Sequence, residues 1–189
     1  MADADAARWD AKYRGRQMPA VGASEALARV RHWLPQAGRA LDVAGGDGAQ
    51  AVWLAASGLD VTLCDVSSVA LERASRLARL EGVPLSVMRC DLENGPVPPG
   101  PWSLVLCANY LQRSMWSAVA EALEVGGVTV WLHPTVDNRS RNAKPSARFL
   151  LARDEGRAIF ESAGLTIAHA EEGWVGGRHL STLVGRRDA

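Results

Sequence analysis

Residues 40–50 read Ala-Leu-Asp-Val-Ala-Gly-Gly-Asp-Gly-Ala-Gln, and the reading of the whole chain starts from them. An apolar run ends in Asp42, a turn containing Gly45, Gly46 and Gly48 follows, and a helix-forming stretch, AQAVWLAAS, comes next. Backbone without side chains turns tightly and lets a ligand lie against it. The helix start behind such a turn offers free N–H groups to an anionic or polar part of that ligand. Further on, the run DVTLCD ends in Asp65. An acidic residue at that place suits the two hydroxyls of a ribose. Together these features point to a nucleoside-containing cofactor.

Short apolar runs alternate with helical patterns along the chain, the signature of a βαβ architecture. Strands are expected at 39–44, 60–65, 85–90, 103–108, 127–133, 165–171 and 180–186, and helices at 22–34, 49–57, 67–81, 112–124 and 148–163. Runs such as VTLC, SLVLCA and VTVWL are apolar on successive residues, as expected for strands buried on both faces. Ser67 begins a helix as its cap, and Gly82 with Pro84 ends it. Only EGWVGGRH separates the last two strands, too little for a crossover helix, so they are read as an antiparallel hairpin. The expected fold is α/β: a doubly wound, Rossmann-like sheet of seven strands, mostly parallel, with an antiparallel C-terminal hairpin. Residues 1–34 are expected to form a helical cap segment and residues 35–189 the cofactor-binding domain.

The chain has 189 residues, 48% hydrophobic, with 21 basic and 21 acidic side chains, so no global field draws it to nucleic acid or membrane. Cys64, Cys90 and Cys107 fit no zinc spacing and read as reduced thiols in a cytoplasmic protein; no metal is expected. The N-terminal MADADAARWD lacks the apolar segment of a signal peptide, and no run approaches a membrane span.

These motifs resemble those of class I S-adenosylmethionine (SAM)-dependent methyltransferases over residues 35–187. The family places an acidic residue and then Gly-x-Gly-x-Gly after its first strand; Asp42, Gly46 and Gly48 match, and Ala44 takes the first glycine's place for the cost of a methyl group. The resemblance implies that Asp42, Ala44, Gly45, Gly46 and Gly48 seat the methionine part of SAM, Asp65 and Val66 the ribose side, and Asp91 and Leu92 the adenine. Asn109 and Tyr110 follow the fourth strand, where the family's substrate-facing loop begins. The product would be S-adenosylhomocysteine (SAH). A nicotinamide-binding domain is the rival. Its Gly-x-Gly-x-x-Gly would run Gly46-Asp47-Gly48-Ala49-Gln50-Ala51, lacking the last glycine and leaving Asp42 unexplained.

Trp9-Asp10-Ala11-Lys12-Tyr13 is similar to WDxxY segments that cover the cofactor in small methyltransferases. Trp9 and Tyr13, four residues apart, share one helical face and either close the site or pack on the fold. On the substrate side, His133, Tyr110 and Arg113 are the candidate catalytic residues. The segment 133–149 carries Arg139, Arg141, Lys144 and Arg148 against one acid, Asp137. It suits an anionic substrate held by Arg139 and Arg148, and equally reads as a solvated loop. The run Asn142 to Leu151, followed by Glu155, resembles a segment of the tellurite-resistance methyltransferase branch, with Arg153-Asp154 in place of that branch's Pro-Gly. Trp53, Trp102 and Trp131 are expected in the core and His169 and His179 away from the crevice, while a partner surface is open to Trp116 and Trp174 but the sequence does not decide it. The expected activity is methyl transfer to a small-molecule acceptor. A non-catalytic partner or sensor protein of the same fold, or an RNA or protein methyltransferase, are the alternatives.

Overall fold

The computed structural model describes residues 2–189; Met1, where the expected cap segment begins, lies outside them. Seven strands form one sheet: β1 (Arg39–Val43), β2 (Asp60–Asp65), β3 (Ser86–Arg89), β4 (Trp102–Ala108), β5 (Leu123–Pro134), β6 (Thr166–Val175) and β7 (Arg178–Arg186). Their order is β3-β2-β1-β4-β5-β7-β6. The first five are parallel, and β7 runs antiparallel between β5 and β6. The chain works outward from β1 to β3 and returns to start β4 on β1's other side. The strand order therefore reverses between β1 and β4, and a crevice opens there beyond the C-terminal strand ends.

Alternation of side chains along each strand builds two cores, one on each face. On one face Ala40, Leu63, Leu104, Leu106, Val130 and Leu132 pack with α2 (Glu25–Arg29), α3 (Ala49–Ala56) and α4 (Ser68–Glu81). On the other, Leu41, Val43, Val105, Cys107, Trp131 and Leu183 pack with α5 (Trp116–Ala122) and α6 (Glu155–Ser162). The fold class read from the sequence is the fold observed. A further helix, α1 (Ala2–Arg14), lies against α4. Among the described residues no helix is long and apolar enough to cross a membrane.

Several element limits differ from expectation, each for a local reason. Residues 22–34 split into α2 and a 3-10 turn, 31–33. The expected helix 112–124 shortens because Leu123 already pairs with Trp102, so that β5 starts four residues before the expected 127. The expected helix 148–163 begins only at Glu155. Leu150 and Leu151 are buried in extended backbone instead, where Leu151 exchanges hydrogen bonds with Pro134 O and Val136 N. The terminal hairpin is longer and tighter than expected. Its strands run to Val175 and from Arg178, and Gly176 and Gly177, both at positive φ, make the two-residue turn.

Trp116, which the sequence leaves undecided, is core. Its ring lies 4.5 Å from that of Trp131 and 4.7 Å from that of Phe160. Phe160 also fills the space beside Gly185, where a Cβ would come within 2.8 Å of its ring. Phe160→Ala should therefore destabilise the protein by about 3–5 kcal/mol, the range for deleting a buried aromatic ring. Equilibrium urea unfolding monitored by circular dichroism measures this. A loss below 1 kcal/mol would mean that the aromatic cluster is not a keystone of that core.

Candidate active site

A cavity of about 670 Å³ opens at the C-terminal ends of β1, β2, β4 and β5, within the usual range for ligand sites. Its floor comes from the turn after β1. Ala44 sits there in the left-handed region, with φ of 53°. The alanine in the first glycine's place therefore carries backbone strain as well as an extra methyl group.

The glycines have separate tasks. Gly45 leaves room for the carboxyl of Asp42, since a Cβ would come within 2.6 Å of Oδ2. A Cβ on Gly46 would fall on the Tyr13 hydroxyl. Gly48 does not line the cavity. Its absent side chain lets α4 approach, because a Cβ would come within 2.6 Å of the Ala74 Cβ. Gly48 thus has a packing role one layer below the cavity.

Two acids stand behind the turn. Asp65 Oδ2 accepts from Gly46 N and its Oδ1 from Ser67 N, both at 2.9 Å. An ionised carboxylate has about four acceptor positions, so Asp65 retains capacity for a ligand's hydroxyls. Burial raises its pKa, against the pull of those N–H groups. Asp42 is 2% exposed, and no hydrogen bond to its carboxyl is found among the described residues. Burial, then the neighbouring Asp65, push its pKa up to about 8. A buried acid left without a donor at the wall of a cavity suits a cationic ligand group there.

At the β2–β3 side lie Val66, Cys90, Asp91 and Leu92. Asp91 accepts from Glu93 N at 3.0 Å and from Asn94 Nδ2 at 2.8 Å, and the Asn94 bond holds its pKa down. Helix α1 supplies the roof with Asp5, Arg8, Trp9, Lys12 and Tyr13, and Arg16 follows just beyond it. The Trp9 and Tyr13 rings stack with centroids 6.0 Å apart, and Lys12 Nζ stands 4.0 Å over Trp9. Tyr13 is buried, and both it and Trp9 line the cavity.

What fixes α1 is a residue that sequence reasoning passed over. Asp10 Oδ1 accepts from Ser67 Oγ at 2.6 Å and from Val69 N at 3.2 Å, at the start of α4. Ser67 in turn caps that helix by accepting from Ala70 N. The available signal was the acid inside the WDxxY segment together with a helix that needs donors satisfied at its N-terminus.

At the β4–β5 side stand Asn109, Tyr110, Leu111, His133, Pro145, Phe149 and Arg178. His133 is 3% exposed, and its Nε2 lies 3.0 Å from Phe149 O. A carbonyl accepts, so Nε2 carries the proton and Nδ1 keeps a lone pair. Burial above all lowers the His133 pKa to about 4, so the ring is neutral at pH 7. His133 Nδ1 and the Tyr110 hydroxyl are both buried without a hydrogen-bond partner.

Arg113, Arg139 and Arg148 do not line the cavity, which corrects their expected roles. The Arg113 guanidinium makes a two-pronged ion pair with Glu155 and reaches Leu150 O at 3.3 Å, clamping the segment before α6. Arg148 lies over the Phe149 ring and Arg139 is exposed. Arg178, at the start of β7, falls within the connection EGWVGGRH, which by its sequence gives no sign of reaching the crevice. His179 lies beside it, sharing a 2.7 Å hydrogen bond with Thr135 Oγ1, and, like His169, is not among the residues that line the cavity.

Residues 40–127 match a family model described as a methyltransferase domain. Among curated proteins none matches the sequence at a significant level. One similar solved structure comes from the conversion of a disulfide bond into a thioacetal group during echinomycin biosynthesis. It is 21% identical, with 97% of this chain and 91% of that chain covered at a TM-score of 0.76. TehB from Haemophilus influenzae is 17% identical, with 86% of this chain and 61% of TehB covered at 0.69. Magnesium protoporphyrin IX methyltransferase from Synechocystis PCC 6803, with bound SAH, is 18% identical, with 86% and 78% covered at 0.66.

The raised pKa of Asp42 has a consequence for stability without ligand. The native carboxyl binds its proton more tightly than the unfolded one, whose pKa is near 3.8. Asp42 thus favours the native state most below pH 4, and this contribution is lost as pH rises through 8. The melting temperature of the wild type minus that of Asp42→Asn should fall between pH 5 and pH 8.5. A difference independent of pH would show that Asp42 ionises normally in the folded protein.

Proposed function

We propose that this chain, a class I SAM-dependent methyltransferase with SAM as its cofactor, methylates a small-molecule acceptor held between Tyr110, His133 and Phe149. The observation that carries this reading is the pair of buried, unpartnered polar atoms, Tyr110 Oη and His133 Nδ1, at the β4–β5 side of the cavity. Unsatisfied buried groups are costly, and a bound acceptor with an O–H or N–H group would satisfy them.

The residues present fit SAM. Asp42 would face the cationic methionine end, over Ala44, Gly45 and Gly46. Asp65 and Val66 would take the ribose, and Asp91 and Leu92 the adenine. Asn109 would border the methionine end, and Trp9 and Tyr13 would close over the cofactor, with α1 as the cap. When bound, SAM would supply a methyl carbon on a cationic sulfur to an acceptor's lone pair, with SAH as the product.

The protein's part is mainly alignment and exclusion of water, by α1 above and by Phe149 and Pro145 at the side. The tautomer set by Phe149 O leaves His133 Nδ1 free to accept the acceptor's proton. Tyr110, its pKa raised by burial, stays protonated and donates a hydrogen bond to the acceptor. Balanced charge and a cavity closed by α1 favour a small acceptor over nucleic acid. The unpaired, reduced cysteines accord with a cytoplasmic setting.

Methyl-labelled SAM incubated with the protein and a cell extract should pass its label to low-mass products. Label on RNA or protein would overturn the small-molecule reading. With the isolated acceptor, His133→Ala should lower kcat by about 10²–10⁴-fold while SAH affinity stays unchanged. Asp65→Ala should weaken SAM binding by about 1.5–3 kcal/mol, the loss expected for a hydrogen bond to a charged group. Titration calorimetry reads that change, and an unaltered affinity would remove Asp65 from the ribose site.

A further inference from the structure

Arg178 is a charge with little to do in the protein's own structure. It lines the cavity and is only partly exposed. Its Nη1 donates to Asn109 Oδ1 at 2.6 Å, and among the described residues it has no carboxylate partner. A guanidinium offers five N–H donors in a rigid fork, and one amide oxygen leaves most of them free. The other cations around the cavity differ. Arg8 pairs with Asp5 at 2.8 Å, Arg16 lies 4.0 Å from Asp47, and the Lys12 ammonium rests on Trp9.

The position of Arg178 is strongly determined. It follows the tight Gly176-Gly177 turn, and Asn142 Nδ2 donates to Gly177 O at 3.0 Å. On its other side, His179 N donates to Asn138 Oδ1 at 3.1 Å. Asn138 is fully buried, and its Nδ2 donates to Lys144 O. Asn109, the partner of Arg178, sits at a positive φ of 61° just beyond β4. A tight turn, the buried Asn138 amide and the Asn109 side chain thus converge on one guanidinium beside the proposed acceptor site, a pattern of preorganised recognition.

We propose that Arg178 is an anion receptor, and that the methyl acceptor is an organic anion whose carboxylate lies on this guanidinium while another atom of it is methylated. This inference rests on the small-molecule reading above. One guanidinium balances one negative charge and matches a carboxylate through two parallel hydrogen bonds. Leu111, Pro145 and Phe149 in the same wall would receive the apolar body of such a molecule. The receptor also bears on His133, because the Arg178 charge is one of the causes that lower the imidazole pKa. A bound carboxylate neutralises that charge and makes Nδ1 a better proton acceptor only when the acceptor is in place.

The test begins with low-mass label from methyl-labelled SAM and a low-mass cell extract, separated by anion exchange at pH 7. The label should be retained as an anion. For the acceptor isolated from that fraction, Arg178→Gln should raise KM by roughly ten- to a hundredfold, and Arg178→Lys should recover part of the loss. SAH affinity, measured by calorimetry on the same variants, should stay at the wild-type value. Low-mass label that is not retained, or a wild-type KM in Arg178→Gln, overturns the receptor and leaves small-molecule transfer standing. Absence of any low-mass label, with SAH still bound, overturns the small-molecule reading and the receptor with it.

Discussion

The Asp65 carboxylate joins three parts of the protein that are far apart in sequence. One oxygen holds the Gly46 N–H, and with it the turn after β1; the other holds the Ser67 N–H, and with it the start of α4. Ser67 passes the connection on through its hydroxyl to Asp10, which fixes α1 over the cavity. Floor and roof of the site are thus set from one buried acid. Burial works against its charge, and the two N–H donors offset part of that cost. Asp42 beside it lacks such donors, which is why burial raises its pKa so far. The same pair of strand ends therefore contains one acid that organises the protein and one left available to a ligand.

Much of this was legible in the residues themselves. All seven strands are found near the places where apolar runs and turn signals put them: VTLC and VTVWL read as strands buried on both faces, whereas β3 is exposed throughout and is held by its pairing with β2. Asp42, Gly46, Asp65, Asp91 and His133 all line the cavity, since each closes or follows a strand at the switch-point end. The failures share a cause. Leu150 and Leu151 look like the start of a helical stripe, yet their backbone bonds go to Pro134 and Val136, a tertiary pairing that local pattern does not encode. Trp116 begins a helix, and its place is undecided until Trp131 and Phe160 are seen beneath it.

The arginines make the same point about function. The cluster in 133–149 drew attention because it is dense in sequence, but density along a loop does not set direction. Arg139 points to solvent, and Arg113 is consumed by Glu155. The guanidinium on the β4–β5 side of the cavity is instead Arg178, a single residue after a glycine pair, 45 positions downstream of His133. It arrives there because β7 inserts next to β5, which pairs His133 with Ser181 and Pro134 with Leu180. That insertion turns the hairpin tip back over the crevice. The topology could be read from the sequence, whereas the register that carries Arg178 to the site could not.

The charge layout explains how a weak base suffices on the proposed reading. Acids stand at the cofactor end, where a cationic ligand group would meet Asp42, while the acceptor end holds a neutral imidazole and a cation. A histidine with a pKa of about 4 removes little from a neutral hydroxyl or amine. It does not need to do so beforehand. Once the acceptor's lone pair engages the methyl carbon, positive charge develops on the acceptor atom and its remaining proton becomes strongly acidic. A lone pair already positioned at Nδ1 then takes that proton with little reorganisation. Burial that makes His133 a poor base in the free protein also excludes the water that would compete for its lone pair. The cost of an unpaired buried nitrogen is thus tied to the moment at which it is used.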